Sequence, residues 1–508
     1  MSELLLALGL LAPLLAAAVI GVPAALAEPL PEKLVSRVSL AALLLSTATW
    51  AGEAVTALIR GGGRHVVFAP WLTSGDYTVE LSLHLDAVGL IFAGLSALVC
   101  LAAARFSVHY MHRERGFSRF FGLLDLFAFA MTLLGVAGNA ALSFVGWELG
   151  GLCSALLIAY HAERPSAGRA GVRAVLTNRV GDVGFALGIA GLYLAFGSVD
   201  WAVMEAGAPR LSAGAATALA LSFLLPGAVK AGLTPFTPWV GAAVEGPTPS
   251  SALFYGAIMV HAGLFLAMRA APLLAVAPAA AAVAVLLGLL TVALAGLIAK
   301  AATDVKGSLV HAGAAQLGVG FVLVGLGLLP LALWHLVGHA LVRGLQMFTA
   351  PAALAQLLDR PVATVSPLLA ERPRLYAWAL RRFDLEDLHN WLVVQPTIRI
   401  AELAARFDAR AVDAASGLPV HPEADVTTRP RHPHRARGLV GRATVLGAGA
   451  AHAFERRLMD QGVSEGLPRL TQTIGARLRH VEAVLASPWA ALALVLLGLA
   501  ILPALGGL

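Results

Sequence analysis

Residues 138–160 read GNAALSFVGWELGGLCSALLIAY. The run is long and apolar enough to cross a bilayer, which takes about 20 such residues. Yet Glu148 sits near its middle, directly behind Trp147. A charge at bilayer depth costs about 2.5–3.5 kcal/mol on insertion scales, so such a group normally faces a partner or water. The oddity recurs along the chain, with ionisable residues inside apolar segments at Asp125, Asp182, Lys230, His261, His335, His339 and Arg343. The sequence reads as a membrane protein organised around a buried polar line.

Composition agrees. Of 508 residues, 58% are hydrophobic and 13% charged, where a soluble domain carries about 25% charged residues. Mean hydropathy is +0.79. Because every backbone polar group in hydrocarbon must be satisfied within the fold, the expected fold is all-α and polytopic, with about twelve spans. They fall near 4–27, 35–59, 86–104, 120–138, 139–160, 175–196, 211–232, 251–270, 278–299, 307–328, 330–356 and 487–506. Arg105, Arg113, Arg115 and Arg119 follow the third span, and Arg164, Arg169 and Arg173 the fifth. The positive-inside rule then places both termini outside and the 357–486 stretch in the cytoplasm. The opening MSELLLALGLLAPLL lacks a basic flank and reads as a retained span.

Net charge is +6, but the basic residues collect in particular loops, so no nucleic-acid partner is expected. The two cysteines, Cys100 and Cys153, lie in apolar segments without disulfide or metal spacing. No phosphate-binding glycine motif, haem motif or cysteine cluster occurs, so no cofactor or metal is expected in this chain. Its energy must come from an ion gradient or a partner.

Lysine is scarce. It occurs at Lys33, Lys230, Lys300 and Lys306, and every other basic position except histidine is Arg. Lys releases a proton readily when buried, whereas Arg does not. Around Lys230 the run LLPGAVKAGLTPFTPWV places Pro226, Pro235 and Pro238, which predicts a broken helix with freed carbonyls near the lysine. Glu148 and Lys230 are the expected proton-holding pair; a static ion pair joining two helices is the plain alternative. Arg179 and Asp182 stand at i and i+3 and should pair with each other. His335, His339 and Arg343 form a stripe at i, i+4 and i+8 that suits a proton relay, or packed histidines bonded to backbone. Zinc would need a third ligand that the sequence does not offer there. Lys306 lies near the inner end of span ten, where snorkelling to the interface is the simple expectation.

In the soluble stretch, PTIRIAELAARFDARAVD carries Ile400, Leu403 and Phe407 on one face and predicts an amphipathic helix on the membrane surface. HPEADVTTRPRHPHRARG follows as a Pro-, Arg- and His-rich linker. FDARAVD and FERRLMD form a weak repeat, each with Gly-Leu-Pro a few residues later.

Several segments together resemble a known family: HYMHRERGFSRFFGLLDLF, GWELGGLCSALLIAY, NRVGDVGFALGI, VKAGLTPFTPWV, EGPTPSSAL, TDVKGSLVHAGAAQLG and WHLVGHALVRGLQMF, over roughly residues 80–356. They are similar to the antiporter-like membrane subunits of proton-pumping NADH:quinone oxidoreductase (respiratory complex I), particularly subunit L, and to Mrp antiporter subunits. The resemblance implies proton translocation. Glu148 and Lys230 match the family's glutamate–lysine couple, Arg179 and Asp182 its charged span-six positions, and Lys306, His335 and His339 its hydrated axis. Arg343 falls where the family usually has a lysine, and Tyr255 where subunit L has a histidine. The family has two inverted five-span repeats. The matching division is 1–119 for N-terminal spans, 120–274 for the first repeat and 275–356 for an incomplete second repeat. Residues 357–486 are then the cytoplasmic helices and linker, and 487–508 a C-terminal anchor. Expected partners are other membrane subunits, the lipid bilayer, protons and a possible soluble protein on the cytoplasmic side. A multi-pass protein of a bacterial plasma membrane is expected. Two alternatives stand beside the respiratory reading: a proton-conducting partner in inorganic-carbon uptake, and a non-conducting scaffold subunit.

Overall fold

The computed structural model describes residues 2–350, 366–408, 446–447 and 449–450. It divides into two compact units, Met1–Ile398 and Arg399–Leu508. The first unit opens with α1 (Glu3–Ala25) and α2 (Glu32–Arg60), then an antiparallel hairpin of β1 (Arg64–Ser74) and β2 (Tyr77–Leu85). Long helices follow: α3 (Ala87–Tyr110), α4 (Phe117–Val136), α5 (Ala140–Ile158) and α6 (Pro165–Phe196). A short α7 (Trp201–Gly207) leads into α8 (Ala213–Lys230), α9 (Thr237–Ala242) and α10 (Thr248–Ser251). A π-helical stretch, Ala252–Ala257, joins α10 to α11 (Met259–Arg269). Then come α12 (Ala271–Ala275), α13 (Pro278–Ala301), α14 (Val305–Gly325) and α15 (Leu329–Thr349). Beyond residue 366 lie α16 (Pro367–Ala370), α17 (Pro373–Leu380), α18 (Leu385–His389) and α19 (Gln395–Phe407).

Among the described residues, ten helical segments are long and apolar enough to cross a membrane. The polytopic helical fold is as the sequence indicates. The helix α15 is as long as several of them but carries the polar stripe of His335, His339 and Arg343. The span expected at 487–506, the Pro/Arg/His-rich linker and the second half of the FDARAVD/FERRLMD repeat lie outside the described residues. In α19, Ile400, Leu403 and Phe407 are all exposed along one face, as the amphipathic pattern requires.

The hairpin is an addition to the helical expectation. Its strands carry β-branched and aromatic residues, with apolar and polar positions alternating along β2, and turn at Gly75, where φ is +57° and a side chain would be strained. It braces the start of α5: Gly138 N donates to Ser82 O at 2.8 Å, and Asn139 Nδ2 donates to Glu80 O at 2.8 Å. A Cβ at Gly138 would fall 2.2 Å from Ser82 Oγ, so glycine is needed there. Asn139 then caps the helix by accepting from Leu142 N at 2.8 Å.

The helix α8 runs through Pro226 and stops at Lys230. Chain reversal follows at Gly232, with φ +64°. The break is where the prolines put it, but the carbonyls are not left free. Ala228 O accepts from Leu233 N, and Val229 O from Gly232 N and Trp239 Nε1. The turn itself supplies the donors.

The segment from α10 through α11 is buried along its whole length, and its backbone touches that of α8. A Cβ on Gly263 would lie 2.2 Å from Gly227 O, and one on Gly227 2.8 Å from Gly263 O. Gly263→Ala should therefore push the two helices apart. Overpacking of this kind costs about 1–3 kcal/mol. Thermal unfolding of detergent-purified protein should show a clear fall in midpoint, whereas Gly296→Ala, whose Cβ meets open space, should change little.

Candidate functional site: a polar line inside the membrane bundle

The end of α8 brings Lys230 against α5, where it is only 2% exposed. Its Nζ donates to Trp147 O at 3.3 Å and stands 4.2 Å from the centre of the Trp147 ring. Cation and ring attract through the ring's quadrupole, more strongly where water is excluded. Trp147 Nε1 in turn donates to Asp182 Oδ1 at 2.9 Å. Asp182 Oδ2 lies 3.0 Å from Arg179 Nε, and Arg179 Nη2 bonds Glu148 Oε2. Five side chains from three helices thus run in sequence from Lys230 through Trp147, Asp182 and Arg179 to Glu148.

Glu148 and Lys230, the expected proton-holding pair, lie on this one line without direct contact, so the static ion pair that was the plain alternative is not formed. Neighbouring residues on a helix point about 100° apart, and here it is Trp147 that meets Lys230 directly. Trp147 takes the inner position, and Glu148 turns to the outer side of α6, where Arg179 is half-exposed. The pairing of Arg179 with Asp182 is as the i, i+3 spacing indicates.

A second group lies across the Gly227–Gly263 crossing. His261 of α11, fully buried, places Nε2 2.9 Å from His339 Nδ1 of α15. The His339 ring stacks nearly parallel on His335 at 5.8 Å. His335 Nε2 lies 2.8 Å from Gln316 O, so it donates there in the tautomer with a proton on Nε2. The stripe read from α15 is therefore a real contact surface, and His261, isolated in the sequence, completes it. Arg343 lies one turn further along, against Gly313, with a buried Nε that has no partner among the described residues. Tyr255 donates its hydroxyl to Ala243 O.

Lys306 does not snorkel outward. Its Nζ donates to Thr248 Oγ1 at 2.8 Å, and Tyr110 donates to the same oxygen at 3.0 Å. Lysine and threonine line a polar cavity of about 660 Å³ at the end of the bundle that carries the basic loops.

Two clusters were not legible in the sequence. At the opposite end, Arg269 closes α11 and makes two bonds to Asp86, the N-cap of α3, at 2.7 and 2.9 Å. His84 of β2 and Glu205 of α7 stand beside them, the two being 3.8 Å apart. Burial pushes the Asp86 carboxyl up, but Arg269 outweighs this and holds it below the usual carboxylate range. Glu205 is raised by burial, and His84 is lowered by burial and by Arg269. His84, Asp86 and Glu205 converge as three metal ligands would; the guanidinium already supplies the positive charge there. The second cluster ties α18 to α6. Arg173 pairs with Glu386, and Thr177 Oγ1 lies 2.7 Å from His389 Nε2.

His389 is 3% exposed, and burial together with the Arg173 charge lowers its pKa from 6.5 to about 4. A histidine held neutral in the folded state loses stability as pH falls from 6.5 toward 4, because the released chain binds the proton and the docked one does not. Amide exchange across residues 385–394, corrected for intrinsic rates, should therefore show looser docking at pH 5 than at pH 7. His389→Gln should remove most of that difference.

Residues 137–380 match the family model described as NADH:quinone oxidoreductase/Mrp antiporter, TM. Residues 71–121 match the one described as NADH-ubiquinone oxidoreductase (complex I), chain 5 N-terminus. Together the two matches make this membrane region similar to the antiporter-like subunits of complex I and Mrp antiporters. It is similar to NADH-quinone oxidoreductase subunit L of Mycobacterium tuberculosis, at 38% identity over 53% of this chain and 43% of the relative. It is also similar to NAD(P)H-quinone oxidoreductase subunit 5, organellar chromatophore 1, of Paulinella chromatophora, at 33% identity over 61% of this chain and 47% of the relative. The match thus spans less than half the length of these relatives. The fold is shared with a chain of the Mrp complex from Dietzia sp., with TM-score 0.58, 20% identity, and coverage of 98% of this chain and 63% of that one. A chain of the membrane-bound sulfane sulfur reductase, an archaeal respiratory membrane complex, shares it at TM-score 0.61 and 16% identity, with coverage of 91% and 98%.

Proposed function

We propose that this chain is a proton-translocating membrane subunit of a multi-subunit energy-coupling complex of the NADH:quinone oxidoreductase type. One observation carries the reading: Lys230 is enclosed at the broken end of α8, bonded to a carbonyl and an indole, with the carboxylates of Asp182 and Glu148 further along the same line. A lysine held this way can keep or release a proton as the carboxylates and Arg179 shift, which makes it the switch of the device. His261, His339 and His335 extend the line through groups that both donate and accept. Lys306 stands at the inner mouth. Arg343 stays charged and sets the field at the far end of the histidine row. The redox chemistry belongs to other subunits, and the home of the complex is a bacterial plasma membrane.

Mild-detergent purification of the tagged chain from native membranes, with mass-spectrometric identification of what accompanies it, tests the assembly. Co-purifying quinone-oxidoreductase subunits bear the reading out. Recovery with a soluble zinc protein alone moves the same proton machinery to inorganic-carbon uptake and overturns the respiratory assignment.

A further inference from the structure

The cavity of about 660 Å³ at the basic end of the bundle has a lining that proton passage does not require. Four basic side chains face it, Arg164, Arg173, Lys306 and Arg382, against two carboxylates, Glu245 and Glu386. Arg173 is neutralised by Glu386. Among the described residues, Lys306 bonds only the hydroxyl of Thr248. The guanidiniums of Arg164 and Arg382 have no side-chain bond or ion pair among the described residues, and Glu245 has none either. The cavity therefore holds an excess of two positive charges, in a wall polar enough to be wet but too crowded with like charge to be indifferent to anions.

Arg382 is placed there by unusual backbone. Arg382, Phe383 and Asp384 have φ of +55°, +54° and +53°, a conformation that side chains other than glycine, asparagine and aspartate seldom adopt. Such strain persists only where surrounding contacts enforce it. Here Phe383 packs with Ala301 and Leu369, and Glu386 and His389 bond α6 on the other side. The Arg382 guanidinium reaches the space beside Gly241 and His311, where a Cβ on Gly241 would lie 3.5 Å from its Nη1.

We propose that this cavity is an anion-binding site that takes a doubly charged phosphate group, clamped by Arg164, Arg382 and Lys306. The guanidinium fork matches the tetrahedral oxygens, and a dianion balances the charge excess. The same chemistry arrives from two sources. One is free hydrogen phosphate from the aqueous side; the other is the head group of cardiolipin, whose two singly charged phosphodiesters together carry the same double charge, reaching the mouth from the bilayer.

The experiment titrates inorganic phosphate into the full chain, in its complex, reconstituted in nanodiscs of phosphatidylcholine alone. Cardiolipin-containing discs and native mass spectrometry form the second arm. Saturable phosphate binding in the first arm assigns a soluble anion. Cardiolipin retained after detergent extraction, and blocking phosphate, assigns a head group. In either case Arg382→Gln should weaken binding about tenfold, the worth of one charge-assisted contact. Glu245→Gln should tighten it. The second variant keeps the test alive if removing Arg382 disturbs the docking of α18. Saturable binding in neither arm, or affinities unchanged in both variants, overturns the site.

Discussion

Lys230→Ala abolishes proton transfer while leaving the bundle assembled. In membrane vesicles holding the whole complex, proton uptake measured with a pH-sensitive dye should fall about 100-fold, the scale of losing a positioned proton-transfer group. The lysine is the one buried amine of the line, and its contacts to Trp147 are to a carbonyl and a ring face. Removing it leaves the Trp147–Asp182 bond intact. Lys230→Arg is the sharper test. It keeps the positive charge and the cation–ring contact but holds its proton at any physiological pH. A static ion-pair role predicts that Lys230→Arg retains flux, whereas a switching role predicts a loss as deep as in the alanine variant. Flux within about twofold of the unaltered protein in Lys230→Ala would end the proposal, since no general acid–base step is worth so little.

Arg269→Met should be the most damaging change to stability. Arg269 is 3% exposed and makes two bonds to Asp86. Taking it away strands a carboxylate that N-caps α3, with Glu205 beside it. Breaking a buried ion pair from one side costs about 3–5 kcal/mol. Fluorescence-detected thermal aggregation should show most of the variant lost at temperatures the unaltered chain withstands. Asp86→Asn in the same molecule should restore part of the loss, because the amide still accepts from Gly89 N without a buried charge. Proton flux per folded molecule should stay near normal, because the cluster makes no contact with Lys230 or the histidine row. A variant as stable as its parent would show that water already carries the charge of Asp86.

What the sequence reveals depends on how far apart the cooperating residues are. Glu148, Lys230, His335 and His339 stand out singly, because a charge or imidazole inside an apolar run is costly and therefore visible. The Arg179–Asp182 pair is also visible, since it lies within one helix turn. The partner of Glu148 is hidden, because Trp147 and Glu148 differ by one position, and only packing decides which faces the interior. His261 finds His339 from 78 residues away, and Arg269 finds Asp86 from 183 away. Neither spacing leaves a periodic signal. Arg269 could have been noticed as an arginine closing the apolar run AGLFLAM, but the interface end of a span is where such a residue attracts least attention. The hairpin between the second and third spans was legible in principle from RHVVFAPWLTSGDYTVELSLHL, whose alternation and Gly-Asp turn are strand signals. In a chain this apolar, the search for spans passes over it.

The complete burial of the segment from α10 through α11 also constrains how the protein is made. A span that touches lipid can enter the bilayer as soon as it is synthesised and wait there. This segment has no lipid-facing side once the bundle is closed, and its His261 rests on His339, which follows it in the chain by three long helices. At the moment α11 leaves the ribosome it is an interrupted helix carrying His261, whose partner His339 is not yet made. It must be held by α8 on its small-residue face until α14 and α15 arrive. The Gly227–Gly263 crossing is therefore as much a matter of biogenesis as of the finished fold, and variants there should accumulate to a lower level in the membrane as well as melt earlier once purified.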